Sequence, residues 1–278
     1  MKLVSPIKWT GSKRILAPQI IKYFPKEIDN YYEPFCGSAA MLFSLLQSDI
    51  KINKYFISDI NKDLINLLLF IQHQPNYIYM HYKALRAFLV ELENEKDRIK
   101  YYNNIRRAFN HCKEKPYFLF LLRACYNGLI RYNSRNEFNT AFHINRLPIH
   151  EDKLNIFKIS ELLNKNNVII EHKNFEDVKP LPQDLIFLDP PYATTKKSTM
   201  YNQNIDQETF FKYVSNLNCK AIICYDGKRY NNNSIIVDNS CNLLESKDFK
   251  KIELKKANSS FNRLKNKNIE VSEMIYVK

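Results

Sequence analysis

Apolar positions in this chain fall into short runs separated by polar turns, and the runs alternate between two periods. Tyr31–Cys36 (YYEPFC) is an aromatic run ended by Gly37, which predicts a strand. Ser38–Gln47 then carries Ala39, Ala40, Met41, Leu42, Leu45 and Leu46 on a helical period, with Ser38 near its N-cap. Tyr55–Ile57, closed by Ser58-Asp59, predicts a second strand, and Asn61–Ile71 a second helix. This β-α-β-α order opens a doubly wound sheet. From Pro75 to about Arg123 the pattern is helical, without strand signal, and Asn127–Pro148 is polar and loop-like. Alternation then resumes. Leu154–Asn164 and Asp206–Leu217 predict helices; Val168–Glu171, Leu185–Leu188, Ala221–Tyr225, Ile235–Val237, Lys251–Leu254 and Met274–Val277 predict strands. The expected fold is therefore an α/β core, formed by residues 1–72 and 151–278, interrupted by a mostly helical insert, residues 73–150.

Charge sharpens the picture. Lys and Arg total 42 against 29 Asp and Glu, a formal net charge of +13, which favours a polyanionic partner such as nucleic acid. The six cysteines form no C-x-x-C pair, and no His cluster has zinc-ligand spacing, so reduced thiols and no metal are expected. The start, MKLVSPIKWTGSK, lacks the apolar stretch of a signal peptide. The most apolar helix, Leu64 to Ile71, is too short to span a bilayer, so a cytoplasmic chain is expected. Only four glycines occur, Gly11, Gly37, Gly128 and Gly227, and three lie inside the segments singled out below.

Six segments carry candidate chemistry. Glu33-Pro34-Phe35-Cys36-Gly37-Ser38-Ala39 places a glycine turn between a strand and a helix, where backbone can approach a ligand; an ordinary βα turn would read the same way. Asp59 follows Gly37 by 22 residues at the end of the next strand, a spacing suited to ribose hydroxyls; it could instead cap the Asn61 helix. Asp189-Pro190-Pro191-Tyr192 stiffens the chain past a buried strand, since two prolines cannot extend it. Asp189 and the Pro190 carbonyl can accept both hydrogens of an amino group on a flat ring, while Tyr192 stacks on the ring. Ile7–Lys13 holds the only tryptophan, Trp9, able to cover a bound adenine, with Lys13 beside a carboxylate; a core tryptophan with a surface lysine would read the same way. Arg123–Asn133, continuing to Phe138-Asn139, interleaves Arg, Asn and Tyr around Gly128, the composition of a loop entering a DNA groove. Lys247–Lys267 adds eight basic residues against two acidic ones and can track phosphates or simply be solvated.

Taken in order, KWTGSK, EPFCGSA, SDINKDLI, YNGLIRYN with EFN, and DPPY resemble the motifs of the N6-adenine DNA methyltransferases of the Dam type along nearly the whole chain. The resemblance implies a Rossmann-like methyltransferase sheet of seven strands with an inserted helical target-recognition domain. It implies S-adenosyl-L-methionine as cofactor, held by Trp9, Lys13, Phe35, Cys36, Gly37, Asp59, Phe175 and Asp189. Asp189, Pro190 and Tyr192 would be catalytic. Double-stranded DNA would be the partner, met by Lys8, Tyr126, Asn127, Leu129, Arg131 and Asn139, with the enzyme a monomer or weak dimer. Two departures stand out. Ala39 replaces the second glycine of the cofactor motif, tolerable if its φ is negative. Thr140-Ala141-Phe142-His143 replaces the V-P-F-G of members that read GATC, which leaves the recognition sequence open. The same tetrapeptide chemistry also serves cytosine N4, RNA or a protein glutamine, and a DNA-binding relative without catalysis is the remaining alternative.

Overall fold

The computed structural model describes residues 3–191, 205–231, 234–238, 244, 249–254, 257–258 and 269–278. Five parallel strands form the body of the sheet: β1 (Glu27–Glu33), β2 (Lys51–Asp59), β3 (Ile169–His172), β4 (Leu185–Leu188) and β5 (Lys220–Asn231). Beside them run β6 (Ser234–Asp238), β7 (Lys250–Glu253), β8 (Ala257–Asn258) and β9 (Ile269–Val277). The order is β3-β2-β1-β4-β5-β9-β7, with β9 antiparallel to both its neighbours; β6 lies beside β5 and β8 beside β9. This is a Rossmann-like sheet: a seven-strand path whose penultimate strand alone runs backwards.

Both faces of the sheet are covered, which explains the continuous apolar runs of its central strands. In β4, Leu185 and Phe187 belong to one core while Ile186 and Leu188 belong to the other. Ile222 and Cys224 against Ala221 and Ile223 repeat the alternation on β5. Helices α1 (Ala17–Ile20), α2 (Ala40–Leu45) and α3 (Lys62–His73) pack on the first face, with α7 (Ile156–Lys165); α8 (Gln207–Ser215) covers the second. Between α3 and α7 the chain forms α4 (Pro75–Glu91), α5 (Glu95–Cys112) and α6 (Lys115–Ala124). Their buried Tyr82, Tyr102, Phe109 and Phe118 join the core that also holds Ile57 and Leu64.

Several elements differ in extent from expectation. β1 starts at Glu27 and stops at Glu33, because Pro34 offers no N–H to the ladder. Its start is fixed by Asp184, whose Oδ1 accepts from the Asn30 backbone (3.2 Å) and side chain (2.8 Å). α2 begins at Ala40, not Ser38: Ala39 is its N-cap, with φ 55° and ψ 35°. The condition of a negative φ at Ala39 is therefore not met. Asp59 does not cap α3; Asn61 does, accepting from Leu64 N at 3.0 Å. The segment after α6 is less loop-like than its polarity suggests. Cys125 pairs with Phe142 and Tyr132 with Phe138 as antiparallel bridges, and Ile130, Tyr132, Phe138 and Phe142 are buried.

Candidate active site

The chain leaves β1 towards β2 on one side and returns through β4 on the other, so the carboxyl ends of β1 and β4 flank a switch in strand order. Open α/β sheets bind ligands at that point. Here it holds a cavity of about 1110 Å³. Trp9, Lys13, Phe35, Cys36, Gly37, Asp59, Phe175 and Asp189 all line it, together with Pro190. Tyr192 lies outside the described residues.

One wall is aromatic. Phe35 and Phe175 meet at 5.1 Å between ring centroids, and Phe210 lies 6.2 Å from Phe35. The Gly37 turn forms the next wall. Its φ is +48°, and a Cβ there would come within 3.0 Å of the Trp9 ring, so only glycine lets the indole lie against this turn. Asp59 clamps the same turn: Oδ2 accepts from Gly37 N at 3.0 Å, and Oδ1 from Asn61 N at 2.9 Å. Burial raises its proton affinity and these two N–H groups lower it, with a net rise. Cys36 is buried beside the turn, and burial pushes its thiol well above the ordinary range; it contributes shape, not a thiolate.

Lys13 and Asp189 meet on the other wall. Lys13 is 5% exposed, and its Nζ lies 2.7 Å from Asp189 Oδ1 and 3.5 Å from Glu273 Oε2. Burial raises the Asp189 carboxyl; Lys13 opposes that rise and Glu273 adds to it. At the end of β1, Glu33 is buried, with Oε2 accepting from Tyr31 OH (2.9 Å) and Leu42 N (3.1 Å). Burial outweighs both bonds and pushes it up to about 8, so this carboxyl is protonated at neutral pH. Sequence reasoning gave Glu33 and Glu273 no role. Glu33 carried a signal, a lone charge inside an apolar strand run. Glu273 carried none, since it meets Lys13 only through the pairing of β9 with β5.

The residues expected to meet DNA lie outside the cavity walls, on the segment after α6 and beside it. Lys8 packs along Gly128 so closely that a Cβ there would lie 2.6 Å from its side chain, and Thr10 Oγ1 donates to Gly128 O at 3.2 Å. Burial, then Arg146, lowers the Lys8 pKa. Tyr126 is 44% exposed and stacks on His143 at 5.4 Å. Asn127 has φ 52°, followed by Gly128 at 68°. The exposed Arg131 donates through Nε to Asn139 Oδ1 (2.7 Å) and through Nη2 to Asn139 O (3.2 Å). Leu129 accepts from Thr140 Oγ1 through its carbonyl at 2.9 Å. Tyr132, singled out for no role, joins segment to cavity: it lines the cavity and its hydroxyl accepts from Asn61 Nδ2 at 3.4 Å. Among the described residues no group of three His, Cys, Asp or Glu could hold a metal ion, and no helix is long and apolar enough to cross a membrane.

Comparison with known proteins agrees with this geometry. The family model of the D12 class N6 adenine-specific DNA methyltransferases matches residues 9–271. The chain is 29% identical to the type II methyltransferase M.MjaIII of Methanocaldococcus jannaschii, over 90% of this chain and 91% of that one. It is 30% identical to the type II methyltransferase M1.LlaDCHI of Lactococcus lactis subsp. cremoris, over 70% and 67%. It is 31% identical to the DNA adenine methylase of Serratia marcescens, over 71% of each chain. A family match that takes in the cavity, both motif strands and the helical insert leaves one reading: this chain belongs to the D12 class of N6 adenine-specific DNA methyltransferases.

Proposed function

We propose that the chain methylates N6 of an adenine swung out of duplex DNA, with S-adenosyl-L-methionine as donor. The observation that carries this is the ion pair of Lys13 with Asp189 at 2.7 Å, on the wall of a cavity that also gathers the aromatic and glycine-turn residues. The cavity suits the donor: the Phe35–Phe175 wall offers a face for its purine, Asp59 retains lone pairs for ribose hydroxyls, and the wall that bears Asp189 suits a cation. When bound, the donor supplies an electrophilic methyl group.

The remaining work falls to the chain. With Oδ1 held by Lys13, Asp189 offers Oδ2 to one hydrogen of the target amine, and the Pro190 carbonyl takes the other. Accepting both hydrogens draws the N6 lone pair out of conjugation with the ring, and Asp189 accepts the proton that N6 must lose. Tyr192 stacks on the extruded base. Flipping costs a few kcal/mol, repaid by these contacts and by fixed positioning of the reacting atoms. Residues 73–150 act as the target-recognition part, with Lys8, Tyr126, Asn127, Leu129, Arg131 and Asn139 at the duplex. The enzyme works in the cytoplasm, as a monomer or weak dimer. Incubation with methyl-labelled donor and duplex DNA, then digestion to nucleosides, tests the proposal. Label in N6-methyladenine is expected; label in N4-methylcytosine, or none in DNA, contradicts it.

A further inference from the structure

The Lys13 ammonium is nearly cut off from water, a costly position for a charge without close partners. Its partners include Asp189 Oδ1 at 2.7 Å, Glu273 Oε2 at 3.5 Å and the Gly11 carbonyl at 3.3 Å. These come from separate parts of the fold. Asp189 follows β4, Gly11 belongs to the N-terminal segment, and Glu273 stands on β9. β9 is bonded to β5, which is bonded to β4, so the sheet itself fixes the span between the two carboxylates. The Glu273 backbone is pinned as well, its carbonyl accepting from Leu254 N at 2.8 Å.

We propose that Glu273 is a positioning residue for methyl transfer: from the β9 side it holds Lys13 on Oδ1 of Asp189, leaving Oδ2 for the target amine. This rests on the reading of the site given under Proposed function. Without Glu273, the ammonium loses the carboxylate that holds it from the β9 side and can swing on its long chain, and Asp189 turns with it. Glu273 also sets the charge around Asp189. Among the described residues, Glu33 on β1 and Cys224 on β5 also face the pair, besides Lys13 and Glu273 themselves. The negative charge of Glu273 holds a proton on Asp189 more tightly, and Lys13 does the reverse.

Steady-state kinetics and pH profiles of four variants test this. Glu273→Gln is expected to lower kcat roughly tenfold, as a modest misplacement of a catalytic group does, with KM for DNA within about twofold. Its acid limb moves to lower pH, whereas that of Lys13→Gln moves to higher pH. Glu273→Asp keeps the charge, so its limb stays while kcat falls partway. In a Lys13→Gln background, Glu273→Gln costs nothing further. Wild-type kcat with an unmoved limb in Glu273→Gln overturns the proposal, as does an undiminished loss in the Lys13→Gln background. If Glu273→Gln fails to fold by circular dichroism, Glu273→Asp decides: the partial loss with an unmoved limb supports the proposal, and wild-type kcat overturns it. A wild-type enzyme that makes no N6-methyladenine overturns the functional reading instead, so the two failures are distinct.

Discussion

Two residues at or next to the cavity, Ala39 between the lining residues Ser38 and Ala40 and Glu33 in the lining itself, carry more strain or charge cost than their surroundings. Ala39 sits at φ 55° and is fully buried. A left-handed conformation costs an L-residue roughly 1–2 kcal/mol, which glycine avoids while losing some entropy on folding. Ala39→Gly is therefore expected to stabilise the fold by about 1 kcal/mol, read as a higher urea midpoint at unchanged slope; a lower midpoint contradicts the strain. Glu33 is the second. Its folded pKa of about 8 lies above the value of about 4.5 that it has when exposed, so the folded state holds the proton more tightly. Stability from this group is thus fully present below about 4.5 and is lost as pH rises towards 8, by at most about 1.4 kcal/mol per pH unit. Glu33→Gln keeps an oxygen for Tyr31 and Leu42 and cannot ionise. Unfolding free energies of mutant and wild type, compared from pH 5 to pH 8, should diverge in favour of the mutant as pH rises. Parallel curves contradict the assignment of a neutral Glu33.

At the scale of elements, the proposed reading of DNA depends on the segment from Cys125 to His143. Its two bridges and buried Phe138 and Phe142 give it a fixed shape, and the Lys8–Gly128 contact ties it to the Trp9 segment at the cavity. Arg131 spends Nε and Nη2 on Asn139, which orients its guanidinium while leaving donors for a base edge. Arg131→Ala should lose about 1–3 kcal/mol of discrimination at one base position. Binding to a panel of single-substitution duplexes checks this, and equal loss on every duplex would reduce Arg131 to a phosphate contact. Elements were legible in the sequence to different degrees. β4 was read to the residue, because four apolar residues between polar neighbours match a strand buried on both faces. β5 was read short and β1 was read late, missing residues 27–30 and running past Glu33 into residues 34–36, because their polar ends are set by pairing partners, not by hydrophobic pattern. Ala39 could not be read at all: alanine carries no signal for a left-handed backbone, and the requirement comes from the turn around Gly37. The cavity's motif residues were visible in short segments, whereas Glu273 reaches Lys13 from the far end of the chain.

At the scale of the whole molecule, the reversal of strand order between β1 and β4 does the essential work. It sets the Gly37 turn beside Asp189, and the two-sided core holds both strand ends still. The N-terminal segment then adds Lys13 from one side, while Lys8 leans on the segment around Gly128. The excess of 13 positive charges favours a polyanionic partner. The central claim is that the Asp189 carboxylate grips the target amine in the transition state. The most direct test is the single-turnover methylation rate of Asp189→Asn, an isosteric change, with donor affinity measured by calorimetry in parallel. The account predicts a rate loss of about 10²–10³-fold or more, with donor affinity within about tenfold of wild type. A rate near that of wild type would contradict it.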